Sequence, residues 1–149
     1  MGEQSKPPFP KARSPQKGAC LTVAIPFPSP ELRSGQSWTF VLEVPAPVRV
    51  LRVIVPDALA SALRAVGIAV GAESLLIEGS EIPAALLADI IVEGPAAEPG
   101  RPWMVTFHNH HTEPVEVNFM AIASVARGHE KTITEWLQER RRLLMEKAL

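Results

Sequence analysis

Cysteine is nearly missing from this chain. Cys20 stands alone, so no intrachain disulfide can form and a cysteine-based zinc site is excluded. A lone cysteine opening an apolar strand reads as a small buried residue. No apolar run approaches the length that spans a bilayer, and residues 1–19 lack a signal-peptide core. The expectation is therefore an intracellular product that no signal peptide exports. P-loop, GxGxxG and GxSxG motifs are absent. Asp57, Glu73, Glu78, Glu81 and Asp89 are scattered, with no spacing that pairs them for acid–base work. Nothing in these residues calls for an enzyme or a cofactor.

What the chain does have is proline, 15 against 9 glycines, set mostly at the edges of apolar runs. There a fixed φ and a missing N–H stop strands cleanly. At 149 residues and 46% hydrophobic, the chain suits one domain with a full core. The net charge of −1 conceals basic ends around an acidic body. Lys6, Lys11, Arg13 and Lys17 face only Glu3 in the first 19 residues, and residues 127–149 are also net basic. Such ends can pair with copies of the chain or sit near nucleic acid.

Met1–Ala19, with four prolines and little apolar content, reads as an extended or disordered arm. Phe9, between Pro8 and Pro10, is its one anchor for a neighbouring subunit. Strands are expected at Leu21–Ile25, Trp38–Val44 and Val48–Val55, the last with Arg49 and Arg52 interrupting its apolar run. Ser34–Ser37 reads as a polar turn. Asp57–Val66 has helical spacing, with Asp57 as N-cap. Two short strands, Gly67–Val70 and Glu73–Ile77, flank Gly71, and Ile82–Asp89 carries a proline suited to a helix start. Ile90–Glu93 reads as strand and Gly94–Pro102 as loop.

The clearest signal is WMVTFHNHHTEPVEVNFMAIASV, Trp103–Val125. Trp103, Val105 and Phe107 share one face, as do Val115, Val117, Phe119, Ala121 and Ala123, so the pattern predicts a hairpin that supplies much of the core. Its turn holds three of the four histidines. His108, His110, His111 and Glu113 form the alternative reading, a cupin-like metal site of imidazoles and a carboxylate. A cupin adds a later-strand histidine, whereas here only His129 follows, and Asn109 marks a solvent-facing tip. The sequence reading therefore assigns no metal ligand.

After Gly128, Thr132 and Glu135 form a capping box for an amphipathic helix. Ile133, Trp136, Leu137 and Leu144 lie along one stripe, interrupted by Arg140, and with Phe9 they are the expected oligomer contacts. Arg140, Arg142 and Lys147 can grip phosphates, but Glu135, Glu139 and Glu146 among them favour a mixed-charge face. The expected organisation is an arm over 1–19, a sandwich over 20–127 and a helix over 128–149.

Seven or eight short strands with no crossover helices predict an all-β fold, an antiparallel β-sandwich of jelly-roll type. LRVIVPDALA (51–60), GIAVG (67–71), IPAALL (82–87), WMVTFHN (103–109) and PVEVNFMAIA (114–123) together resemble the small single-jelly-roll proteins of phage particles, over roughly residues 38–125. The resemblance implies a capsid or decoration subunit in a virion or the cytoplasm. It implies a homo-oligomer, trimer or larger, with a major capsid protein as a further partner. It carries over no catalytic residue. A nucleic-acid-associated module using the basic ends is the third reading.

Overall fold

In the computed structural model, residues 21–77, 79–89 and 94–148 are described. The expected arm with Phe9, Cys20 and the expected strand Ile90–Glu93 lie outside them. In chain order the elements are β1 (Leu21–Pro26), β2 (Glu31–Leu32), β3 (Ser37–Leu42) and β4 (Val48–Ile54), then helix α1 (Asp57–Ala60). Next come β5 (Leu63–Val70), β6 (Glu73–Ser74), β7 (Ile82–Pro83) and a 3₁₀ turn at Ala84–Leu86. β8 (Trp103–Asn109), β9 (Val115–Glu116), β10 (Met120–Val125) and helix α2 (Glu130–Ala148) complete the chain.

The fold is mostly β, with two principal antiparallel sheets and one long C-terminal helix. One sheet runs β3–β8–β5–β6, with β7 also on β5, and the other runs β1–β10–β4. β2 and β9 make a separate short pair. An isolated bridge sets Ala97 beside Val48 on the outer side of β4. The chain thus moves between sheets: β1 in one, β3 in the other, β4 back, β5 across, then β8 and β10 in opposite sheets.

The expected hairpin is therefore corrected. β8 and β10 each lie at the centre of a different sheet and do not pair. Alternation tells which side chains face inward, but it does not name the neighbouring strand. The inward faces are as expected: Trp103, Val105 and Phe107 are buried, and so are Val117, Phe119, Ala121 and Ala123, with Val115 half-buried. They meet across the core, where the Phe107 and Phe119 ring centroids lie 5.1 Å apart. Phe27 stacks on Phe119 at 4.4 Å, and Phe40 meets Phe119 edge-on at 4.8 Å. Offset and edge-on ring pairs of this kind add about 0.5–1.5 kcal/mol each beyond their buried area. Trp103 joins the cluster 6.1 Å from Phe27, and its indole N–H is buried without a hydrogen-bond partner.

Two bulges keep the inward phase where the sequence breaks it. In β4, Ile122 faces Arg52 and Ala123 faces Val50, so Leu51 is the extra residue. Arg49 and Arg52, three apart, therefore both stay exposed while Val48, Val50 and Val53 are buried. In β5, the register shifts between Gly67 and Ala65, and Val66 is the residue passed over. That strand takes in Leu63–Val66, so the expected helix Asp57–Val66 shortens to Asp57–Ala60, with Pro56 rather than Asp57 at the cap. Leu63 and Ala65 satisfy period two as well as helical spacing, and the ladder with β8 decides between them. At Ile82–Asp89 a two-residue strand and a 3₁₀ turn replace the expected helix. Gly71 turns β5 into β6 at φ 59°, where a Cβ would come within 2.7 Å of the Arg101 Cγ.

Phe119→Ala is expected to cost about 3–5 kcal/mol of unfolding free energy, because its three aromatic neighbours, Phe27, Phe40 and Phe107, cannot all close the gap. Ile77→Ala, at a residue 82% exposed, should stay within about 0.5 kcal/mol of wild type in the same urea titration.

Candidate functional site

The histidine loop is built on Asn109. Odd-numbered residues of β8 face the core, so Asn109 continues the phase of Trp103, Val105 and Phe107 and is fully buried. It is the only buried polar residue among those described. Its Nδ2 donates to the Leu32 carbonyl at 3.1 Å and the Glu113 carbonyl at 2.9 Å. Its Oδ1 accepts the His111 N–H at 2.9 Å. Its backbone N–H donates to Gln36 O, and its carbonyl accepts the Gly35 N–H. Every polar group of this side chain has a partner, as a buried amide requires.

That pinning sets where the histidines go. His108 has the outward phase, and its Nδ1 bonds the Ser37 hydroxyl at 2.8 Å. His110, His111 and Glu113 are exposed on the loop, which the Ser34 hydroxyl ties by a 2.6 Å bond to the His111 carbonyl. None of the three faces the sandwich interior, which the aromatic cluster fills. Among the described residues, no three His, Cys, Asp or Glu side chains gather where a metal could be held.

The second candidate is α2. It starts at Glu130, two residues ahead of the expected capping box, and the Glu130 carboxylate accepts the Gly128 N–H at 2.9 Å. Ile133 and Leu137, expected as oligomer contacts, are buried in the core of their own chain. The sandwich is open at that side, and the helix stripe closes it. Trp136 is half-buried against the same core. Arg140, which looks like an interruption in the stripe, belongs to the seam: its guanidinium lies 4.9 Å from the Phe27 ring and 5.6 Å from that of Trp136. Its Nε donates to the Pro26 carbonyl at 2.7 Å. Burial pulls the Arg140 pKa below its ordinary value.

Arg141 reaches the Ala24 carbonyl at 3.4 Å. Arg142 pairs with Glu139 and Glu146, its neighbours three and four residues away. Hydrogen bonding to Arg142 lowers the Glu139 pKa, and the same pair raises that of Arg142. All three arginines are thus engaged within the chain. Ion pairing runs through Arg142 rather than Glu135, and the Lys147 side chain lies outside the described residues. No helix among the described residues is long and apolar enough to cross a membrane.

Beyond the seam, α2 and the sheet edge leave a groove of about 340 Å³, whose lining is mostly apolar (Pro28, Val41, Trp136, Leu143 and Leu144) with Glu139 and Arg140 as its charged members. Trp136 and Leu144 are the two expected contact residues that it exposes. Sequence reasoning passed over Val41 and Trp38, whose signal is the uncharged run SWTFVL. The expected solvent-facing place of Asn109 is corrected: it is the fully buried last residue of β8, and its signal is a polar residue in the inward phase of a core strand.

Compared with protein-family models, curated proteins and solved structures, the chain matches none.

Asn109→Asp keeps the shape but turns two donors into a charge facing carbonyls, so a loss of about 3 kcal/mol or more is expected. The buried carboxyl is charged with difficulty, which raises its folded pKa above the unfolded ~3.9. The deficit against wild type should therefore narrow as pH falls from about 7 towards 4 in paired urea titrations. Leu137→Ala should cost about 2–5 kcal/mol. That cost should be the same at every protein concentration, because the side chain is buried in its own subunit.

Proposed function

We propose that this chain is a structural subunit, a self-assembling or lattice-binding protein of a virus-like particle, built on a jelly roll. The jelly-roll reading is supported by the strand order. β1–β10–β4 with Ala97 beyond β4 forms one layer, and β3–β8–β5 with β6 and β7 forms the other, while the chain alternates between layers as two Greek keys do.

One observation carries the functional reading: where the apolar surplus lies. The interior is filled by Phe27, Phe40, Trp103, Phe107 and Phe119, so the barrel is a packed core rather than a ligand chamber. Outside, Trp38 is 43% exposed, Val41 47%, Leu143 45% and Met145 70%, and Leu21, Ile54, Ile77, Leu86 and Met120 are exposed elsewhere on the surface. Large apolar side chains held on the surface by β3 and α2 suit contacts with other protein surfaces. Symmetric homo-oligomers are the commonest use of such surfaces.

Light scattering of the full chain is expected to give an oligomer of defined mass that persists on dilution through the micromolar range. A monomer at every concentration overturns this reading.

A further inference from the structure

We propose that the free edge of β3 is where a second copy of this chain adds to the sheet, Ser37–Leu42 pairing antiparallel with its own counterpart across a two-fold axis. The inference rests on the self-assembly reading and names the contact that carries it.

An edge strand presents a row of unpaired N–H and C=O groups, and proteins that stay monomeric block such rows with charge, proline, bulges, shortness or a cover. Two sheets give four edges here, and three are blocked. Along β1, Arg140 and Arg141 occupy the Pro26 and Ala24 carbonyls. Along β4, Val48 and Ala97 exchange both backbone bonds, at 3.0 and 2.7 Å, and the Val53 N–H reaches Leu87 O at 3.4 Å. Beyond β5 the outer strands β6 and β7 are two residues each, and they include Glu73 and Pro83.

Among the described residues, β3 has none of these devices. SWTFVL holds no charge, no proline and no glycine, and its six pairs with β8 run without a bulge. The Asn109 N–H on Gln36 O sets the phase of that ladder. The backbone groups of Ser37, Thr39 and Val41 therefore point away from β8. Among the described residues, no backbone hydrogen bond outside the β8 ladder involves Ser37–Leu42.

The chemistry of the edge selects its occupant. The apolar part of the N-terminal segment is Pro7–Pro8–Phe9–Pro10, where three of four residues have no N–H to complete a ladder. A second β3 has all of its donors. Antiparallel self-pairing often sets like charges opposite one another, which destabilises a pair, and this strand has no charge to oppose. The edge is also continuous with the apolar groove, since Val41 lines both. A strand laid on it covers Val41, and the adjoining surface brings in Leu143. With six strand residues from each copy, Trp38 among them, the contact is on the order of the 1,000 Å² that a specific interface requires. A two-fold contact makes the copy number of the particle even.

The test compares the full-length wild type with Val41→Lys and Thr39→Pro by light scattering, with circular dichroism as the check on folding. Val41→Lys places a charge on the edge at an exposed position. Thr39→Pro removes one outward N–H and leaves the bonded pairs with β8 in place. The expected result is an even-numbered wild type whose mass falls by half or more in both variants, with an unchanged spectrum. If Thr39→Pro does not fold, Val41→Lys decides alone. A folded Val41→Lys protein with the wild-type mass overturns the β3 contact and leaves self-assembly through another surface standing. A wild-type monomer overturns both.

Discussion

Period-two parity in β8 is the constraint on which the rest of this structure depends. Trp103, Val105, Phe107 and Asn109 all face inward, and the strand is held on both sides, by β3 and by β5. Sliding β8 by one residue would put Met104, Thr106 and His108 into the core and its largest rings into water. The bulges in β4 and β5 answer the same constraint, since each takes up one residue so that flanking side chains return to the inward phase. Asn109 closes the strand by turning its one buried amide into the anchor of the loop above. The core and the loop are thereby fixed by the same seven residues.

This parity was readable in the sequence, because alternation is a property of neighbouring residues. Val117, Phe119, Ala121 and Ala123 could be assigned to the core for that reason, whereas the helical stripe of Ile133 and Leu137 marked an apolar face without saying that it packs on its own subunit instead of a neighbour. Pairing was not readable. Which strand lies beside β8 depends on residues Ser37–Leu42 and Leu63–Val70, tens of positions away, and no local pattern encodes it. The helix expected at Asp57–Val66 failed for the same reason: Leu63 and Ala65 fit both periods until a ladder partner is known. The histidine loop was half legible. Its position at the tip followed from turn chemistry, but the buried role of Asn109 between two histidines required the register of β8.

α2 shows how one side chain can serve two surfaces. A sandwich is open along its sides, and the stripe Ile133, Trp136 and Leu137 closes one of them. A leucine at position 140 would continue that stripe and leave the Pro26 carbonyl without a donor. A lysine would bring a point charge that lacks the planar fork. Arginine sets its guanidinium over the Phe27 and Trp136 rings while its Nε satisfies the strand edge. Its depressed pKa records the burial, yet an arginine remains charged across the working pH range. The helix is thereby both core and edge guard for β1.

That double role has a geometric consequence. A helix committed to the β1 edge through Arg140 and Arg141 is not free to cover the neighbouring β3 edge, and the last turns of its stripe, with Leu143 and Leu144, run past the core into the groove beside Val41. Val41, Leu143 and Leu144 meet at that groove, while other exposed apolar residues such as Ile77 and Leu86 stand apart from it. The groove borders the one sheet edge that, among the described residues, carries no charge, proline or cover. Guarding one edge with the helix and leaving the next one uncovered by it are two results of the same placement. The asymmetry between β1 and β3 therefore belongs to the fold, set when Ile133 and Leu137 enter the core, and any association along β3 inherits a surface already shaped and held rigid.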